Sequence, residues 1–110
     1  MKKGLVFLLL MLSSSLCFAQ LNGRCDIFGP IYVTERPQEA HYRVYEETSE
    51  AFANVVVFEE ENELMADRPG LWYYTKNREF AIFIIYFVDR KSDADFTVYY
   101  TDIPDYAGCN

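Results

Sequence analysis

From residue 30 onward, short apolar runs alternate with short polar ones, and no run is long enough for an extended helix. Ile31 to Val33, His41 to Tyr45, Asn54 to Phe58, Leu71 to Tyr74, Ala81 to Val88 and Phe96 to Tyr100 are rich in β-branched and aromatic residues, which predicts strands. Between them lie the polar stretches Glu46 to Ala53, Glu59 to Ala66, Thr75 to Ala81, Asp89 to Ala94 and Thr101 to Ala107. Several of these should end in one helix-like turn, with Ser49 and Asn62 as good N-caps.

The alternation is a repeat. Ala40, Ala53, Ala66, Ala81, Ala94 and Ala107 are spaced 13, 13, 15, 13 and 13 residues apart. Eight residues before each alanine stands an aromatic: Tyr32, Tyr45, Phe58, Tyr73, Tyr86 and Tyr99. After the alanine the apolar residues alternate, as in Val55 and Val57 or Phe96 and Val98. Asp67-Arg68-Pro69-Gly70 carries the two extra residues of the long interval, and Pro-Gly reads as a turn. It divides six units into two halves of three, offset by 41 residues. A recurring alanine implies close packing, with the aromatic as its cover. A unit of thirteen is short. A parallel crossover through a helix needs a dozen residues for the connection alone, so a meander also fits.

The first residues follow another pattern. Lys2 and Lys3 precede an apolar run from Leu5 to Leu12, Ser13 to Ser15 break it, and Cys17 and Ala19 put small residues at −3 and −1. This is the layout of a secretory signal peptide over residues 1–19, compact in the bacterial manner. Leu16 stands where lipoprotein processing wants a small residue, so lipidation of Cys17 is not expected. Residues 20–29 then form an N-terminal segment and 30–110 the repeat domain. Removing 19 of the 110 residues leaves 91, enough for one small domain. The loss of two lysines takes the net charge from −7 to −9. That charge and the lack of a basic patch argue against nucleic acid. No stretch of the mature chain is long enough for a membrane helix, and a monomer is expected. The expected destination is the periplasm or the outside of a bacterial cell.

Cleavage leaves two cysteines, Cys25 and Cys109, near the two ends of the mature chain. An even count in an oxidising compartment makes them the candidate disulfide; the alternative is two free thiols. His41, the single histidine, has no nucleophile motif beside it and is expected on a strand surface. The acidic groups Glu59-Glu60-Glu61-Asn62-Glu63 and Asp89, Asp93, Asp95 lack calcium-loop spacing and read as solvated connections. Trp72, Tyr74 and Tyr100 are the candidate interaction surface, because Tyr74 and Tyr100 recur only at matching positions of the fourth and sixth units.

The unit of aromatic, seven residues, alanine and strand resembles the 7(1) septoil knot domain family. Gly70-Leu71-Trp72 in the middle and Tyr106-Ala107-Gly108 at the end strengthen the likeness, and the stretch Asp89 to Tyr99 is its closest unit. The resemblance spans about residues 30–108. Ala40-His41, Ala53-Asn54 and Ala81-Ile82 depart from the usual Ala-Asp pair. What the resemblance implies is a mainly β domain of six strand-plus-short-turn repeats, tied as a seven-crossing torus knot. Spacing and composition reveal the repeat but not the threading, since true knots are essentially absent elsewhere. No activity comes with the family. The expected function is therefore an exported, very stable structural or interaction module without enzymatic activity or cofactor. The alternatives are a carbohydrate- or calcium-binding module and, behind these, an acidic hydrolase.

Overall fold

The computed structural model describes residues 23–110, and the signal-peptide assignment over residues 1–19 lies outside them. Each repeat unit contributes one strand: β1 Gly29–Val33, β2 Tyr42–Glu46, β3 Val55–Glu59, β4 Leu71–Tyr74, β5 Phe83–Phe87 and β6 Phe96–Tyr100. A short β7, Gly108–Cys109, follows. The connections hold single 3₁₀ turns at Pro37–Glu39, Glu50–Phe52, Glu63–Met65, Arg78–Phe80, Lys91–Asp93 and Pro104–Tyr106, and another at Gly23–Asp26 precedes β1. Every repeat alanine ends one of these turns, its N–H bonded back to the carbonyl three residues earlier. Of the two expected caps, Asn62 accepts a bond from the N–H of Leu64 at 3.0 Å. Ser49 makes no side-chain cap bond, whereas Asn77 accepts from Glu79.

The six strands close into a parallel barrel in the order β4-β1-β5-β2-β6-β3, with β3 pairing back to β4. β7 runs antiparallel to β3, pairing with Val55 and Val56, while β4 pairs with Phe58 and Glu59. The two halves of the sequence therefore interleave. β1, β2 and β3 take alternate places, and β5 and β6 fill the gaps between them. Strands equivalent in the two halves are neighbours: Tyr32 and Tyr73 lie on adjacent strands, as do Tyr45 and Tyr86, and the paired residues there are 43 positions apart, as in Pro30 with Tyr73.

Register explains how parallel strands manage with links so short. Val33 at the end of β1 and Tyr42 at the start of β2 both pair with Ile85 of β5. Glu46 and Val55 both pair with Val98, Tyr74 and Phe83 with Ile31, and Phe87 and Phe96 with Val44. Each link thus steps over one strand at a single level and never travels back along the strand length. Residues 34–41, 47–54, 75–82 and 88–95 suffice, where a conventional crossover takes about a dozen or more. Followed once round the barrel, the pairings return to β1 shifted by about a dozen residues, so the strands are steeply tilted. First-half links cross second-half strands and second-half links cross first-half strands, an interleaving consistent with a knotted β domain.

Asp67-Arg68-Pro69-Gly70 is where the step changes. Leu71 N–H bonds to Arg68 O at 3.1 Å, closing a turn with Pro69 and Gly70 in its centre. Gly70 has φ of +87°, the backbone region that favours glycine. Here the chain moves to the adjacent place rather than skipping one, and so starts the second round.

Candidate functional site

Strand alternation divides each unit into an inner and an outer set. Ile31, Val44, Val57, Trp72, Ile85 and Val98 occupy one repeat slot, and all six are 0% exposed. They fill the centre of the barrel, with Ile27 of the N-terminal segment added to them. Trp72 is thus not part of an interaction surface, a correction to the sequence expectation. It is the second-half counterpart of Ile31, and its Nε1–H donates to Ile27 O at 3.0 Å inside the core. Its aromatic neighbours in sequence concealed that it falls in phase with the aliphatic Ile31, 41 positions away.

The two barrel ends differ. At the N-terminal end Tyr42 packs on Phe96 and Phe83, with ring centroids 5.4 and 6.2 Å apart. At the C-terminal end Tyr74, Phe87 and Tyr100 pack against the core, whereas Val33, Glu46 and Glu59 are exposed. The structure brings Tyr74 and Tyr100 together: their hydroxyls are hydrogen-bonded to each other. Burial pushes the Tyr74 phenol far above its ordinary value, and the neighbouring Tyr100 adds to the rise. Burial likewise pushes Tyr100 up to about 12, offset in part by its bond to Tyr74. Glu46 and Glu59 raise both further. A neutral, mutually bonded pair is a poor general acid or base near neutral pH.

The recurring aromatics Tyr32, Tyr45, Phe58, Tyr73, Tyr86 and Tyr99 follow the core slot by one residue, so alternation turns them outward. All six are half-buried. Of the repeat alanines, Ala53 and Ala66 are buried and Ala40, Ala81, Ala94 and Ala107 are half-buried. Cys25, in the turn before β1, and Cys109, in β7, are joined as a disulfide with Cα atoms 5.1 Å apart and 84 positions between them.

His41, and Asp93 and Asp95 of the second acidic cluster, have structural partners. His41 donates its N–H to Ile84 O, and its Nδ1 accepts the Ile84 N–H at 3.0 Å. Asp95 treats Arg43 in the same way, with its carboxylate accepting the Arg43 N–H at 2.7 Å. Asp93 pairs with Arg90 at 3.0 Å. Among the described residues no three His, Cys, Asp or Glu side chains converge as a metal site. No helix among them is long and apolar enough to cross a membrane.

Compared with known families, residues 24–110 match the 7(1) septoil knot domain, which covers the strands, the turns and both cysteines. The chain belongs to this family. Comparisons with curated proteins and with solved structures give no match.

The septoil knot also accounts for the departures from the Ala-Asp pair. The residue after Ala40, Ala53, Ala81 and Ala94 meets the strand that its link has just crossed. Asn54 donates its N–H to Thr97 O and accepts the Thr97 N–H at 2.9 Å through its side chain. Histidine and asparagine thus do what aspartate does at Asp95, because each offers a short acceptor. Ile82 has no acceptor, yet its N–H bonds to the carbonyl of Pro30, which has no N–H to satisfy. The apolar residue at 82 and the proline at 30 form one complementary pair across two halves of the chain. A sequence signal for it existed, in the coincidence of the single apolar exception with a proline 52 positions away.

Proposed function

We propose that this septoil knot works after export, in the periplasm or outside the cell, as a disulfide-closed structural or interaction module without catalysis. The observation that carries the reading is the way its interior is used. The barrel centre is filled by six fully buried side chains, and the titratable pair at its C-terminal end is bonded to itself. The Cys25–Cys109 bond supports the oxidising destination, because such bonds persist where thiols are not kept reduced. It also joins the two ends of the domain, so the closed loop takes in every strand-crossing link. In the chain-entropy picture a loop of this size contributes about 4–5 kcal/mol.

The test is intact mass spectrometry of protein recovered from the periplasm and medium of an expressing bacterium. The expected species begins at Gln20 and lacks two hydrogens. Recovery of the full chain in the cytoplasm, or of two alkylatable thiols in the exported protein, overturns the reading.

A further inference from the structure

We propose that two neighbouring grooves on the outer wall of β1, β5 and β2 form a binding site for a neutral oligosaccharide. The inference deepens the interaction-module reading and rests on it. Each groove lies between successive links and has a repeat aromatic in its lining. The first, of about 410 Å³, is lined by Tyr32 and Val33 of β1, by Thr34, Glu35, Arg36 and Glu39 of the connection, and by Arg78. The second, of about 330 Å³, is lined by Tyr86, Arg43, Asp89, Arg90 and Asp93, with Pro37 on its other side. The 3₁₀ turn Pro37–Glu39 contributes to both, so the grooves are adjacent.

The residues here break the repeat in a matching way. The position just before the alanine is Phe52, Met65, Phe80 or Tyr106 in four links, all of them exposed. In the other two links, which wall the grooves together with Arg78 of the link 75–82, it is Glu39 and Asp93. Each of these acids has an arginine three residues earlier, Arg36 and Arg90, at 3.6 and 3.0 Å. Glu39 also accepts from Thr34 Oγ1 at 3.0 Å and meets Arg78 at 3.1 Å. Arg43 supplies the second groove with its second guanidinium. Both grooves thus offer one tyrosine, two guanidinium groups and two carboxylates, which partly hold one another in place.

That set suits a sugar ring. A pyranose has an apolar C–H face and hydroxyls that both donate and accept. The tyrosine ring offers the apolar face a platform. The guanidinium N–H groups and carboxylate lone pairs left free by the ion pairs serve the hydroxyls. Arginine and carboxylate charges cancel within each groove, and the chain is acidic overall, so a polyanion is disfavoured. Two like grooves side by side select an oligomer over a single sugar.

The experiment is an amide-resolved NMR titration of the disulfide-closed protein with chitotetraose and cellotetraose up to about 10 mM, a range that reveals weak affinities. Inorganic phosphate and polygalacturonate serve as anionic probes. The expected result is saturable shifts at residues 32–39 and 86–93 with a neutral tetrasaccharide. Tyr32→Ala, Tyr86→Ala and Arg78→Gln should each weaken binding about tenfold or more, while Met65→Ala, outside the grooves, leaves it unchanged. Melting of each variant identifies any that fail to fold, and Arg78→Gln removes an exposed group that the barrel does not need. Saturation by phosphate or polygalacturonate alone overturns the proposal, as does the absence of saturable shifts with both neutral sugars on folded protein. A folded, non-binding protein leaves the module reading intact. Hydrolysis of a tetrasaccharide, seen as new anomeric signals, would instead overturn the non-enzymatic reading.

Discussion

Replacing Asn54 by alanine removes one acceptor from the outer wall of the barrel and little apolar area. The Asn54 Oδ1 takes the Thr97 N–H at 2.9 Å and lies 3.2 Å from Thr97 Oγ1. Thr97 is 4% exposed, so its amide has no ready access to water. Thr97 Oγ1 keeps the Asn54 N–H as a donor at 3.0 Å, but the Thr97 N–H is left unpaired. A buried amide in that state costs about 1–3 kcal/mol. For a domain of this size each kcal/mol moves the melting temperature by about 4–8 °C, so Asn54→Ala should melt about 4–24 °C lower. Asn54→Asp keeps the acceptor and should recover most of the loss. The decisive arm is a double-mutant cycle at the exception, where Pro30→Val creates an N–H facing Ile82. Pro30→Val and Ile82→Asn should each destabilise alone, and together they should cost less than their sum by about 1 kcal/mol. Urea denaturation of the four proteins measures this. Strict additivity, or an Asn54→Ala change below about 0.5 kcal/mol, would refute the reasoning.

Trp72→Phe should destabilise by about 1–3 kcal/mol in denaturant, since it vacates core volume and gives up the bond to Ile27 O; an unchanged midpoint would return Trp72 to the surface. Gly70→Ala should prevent folding or lower stability by more than ~3 kcal/mol, because its Cβ would lie 2.8 Å from Val56 O at a φ of +87°; a normal circular dichroism melt would contradict this. In an ultraviolet pH titration Tyr74 and Tyr100 should ionise above the ordinary tyrosine range, Tyr100 near 12. Both folded-state values are raised, so the stability that the pair contributes is fully present below about pH 10 and is lost as pH rises through about 12. Tyr100→Phe should reduce that alkaline loss and leave the share that burial of Tyr74 contributes, and a loss unaffected by the substitution would assign it elsewhere.

The strands, their connections and the break at Pro69-Gly70 were legible because they rest on local properties. β-branched and aromatic runs favour extended backbone, and Pro-Gly favours a turn with positive φ at the glycine. The candidate site was legible only in part. Tyr74 and Tyr100 were singled out by recurrence, and the structure joins their hydroxyls. Trp72 was grouped with them by sequence proximity, yet alternation sends it into the core, in phase with Ile31 and Val44. Grooves lined by Tyr32 or Tyr86 were invisible beforehand, because each takes residues from different links.

By itself the sequence determined the unit: a strand of about five residues, a turn closed by alanine, and a period of thirteen copied in two halves. It also carried the resemblance that the family comparison bears out. Tertiary structure alone decided that the halves interleave and that links cross strands at one level. It likewise decided that the residue after the alanine answers a backbone group 43 or 52 positions away. Local propensity sets how one unit folds, but backbone hydrogen bonds between units are satisfied only by their partners. Which partner lies alongside depends on register and barrel closure, quantities that belong to all six strands together.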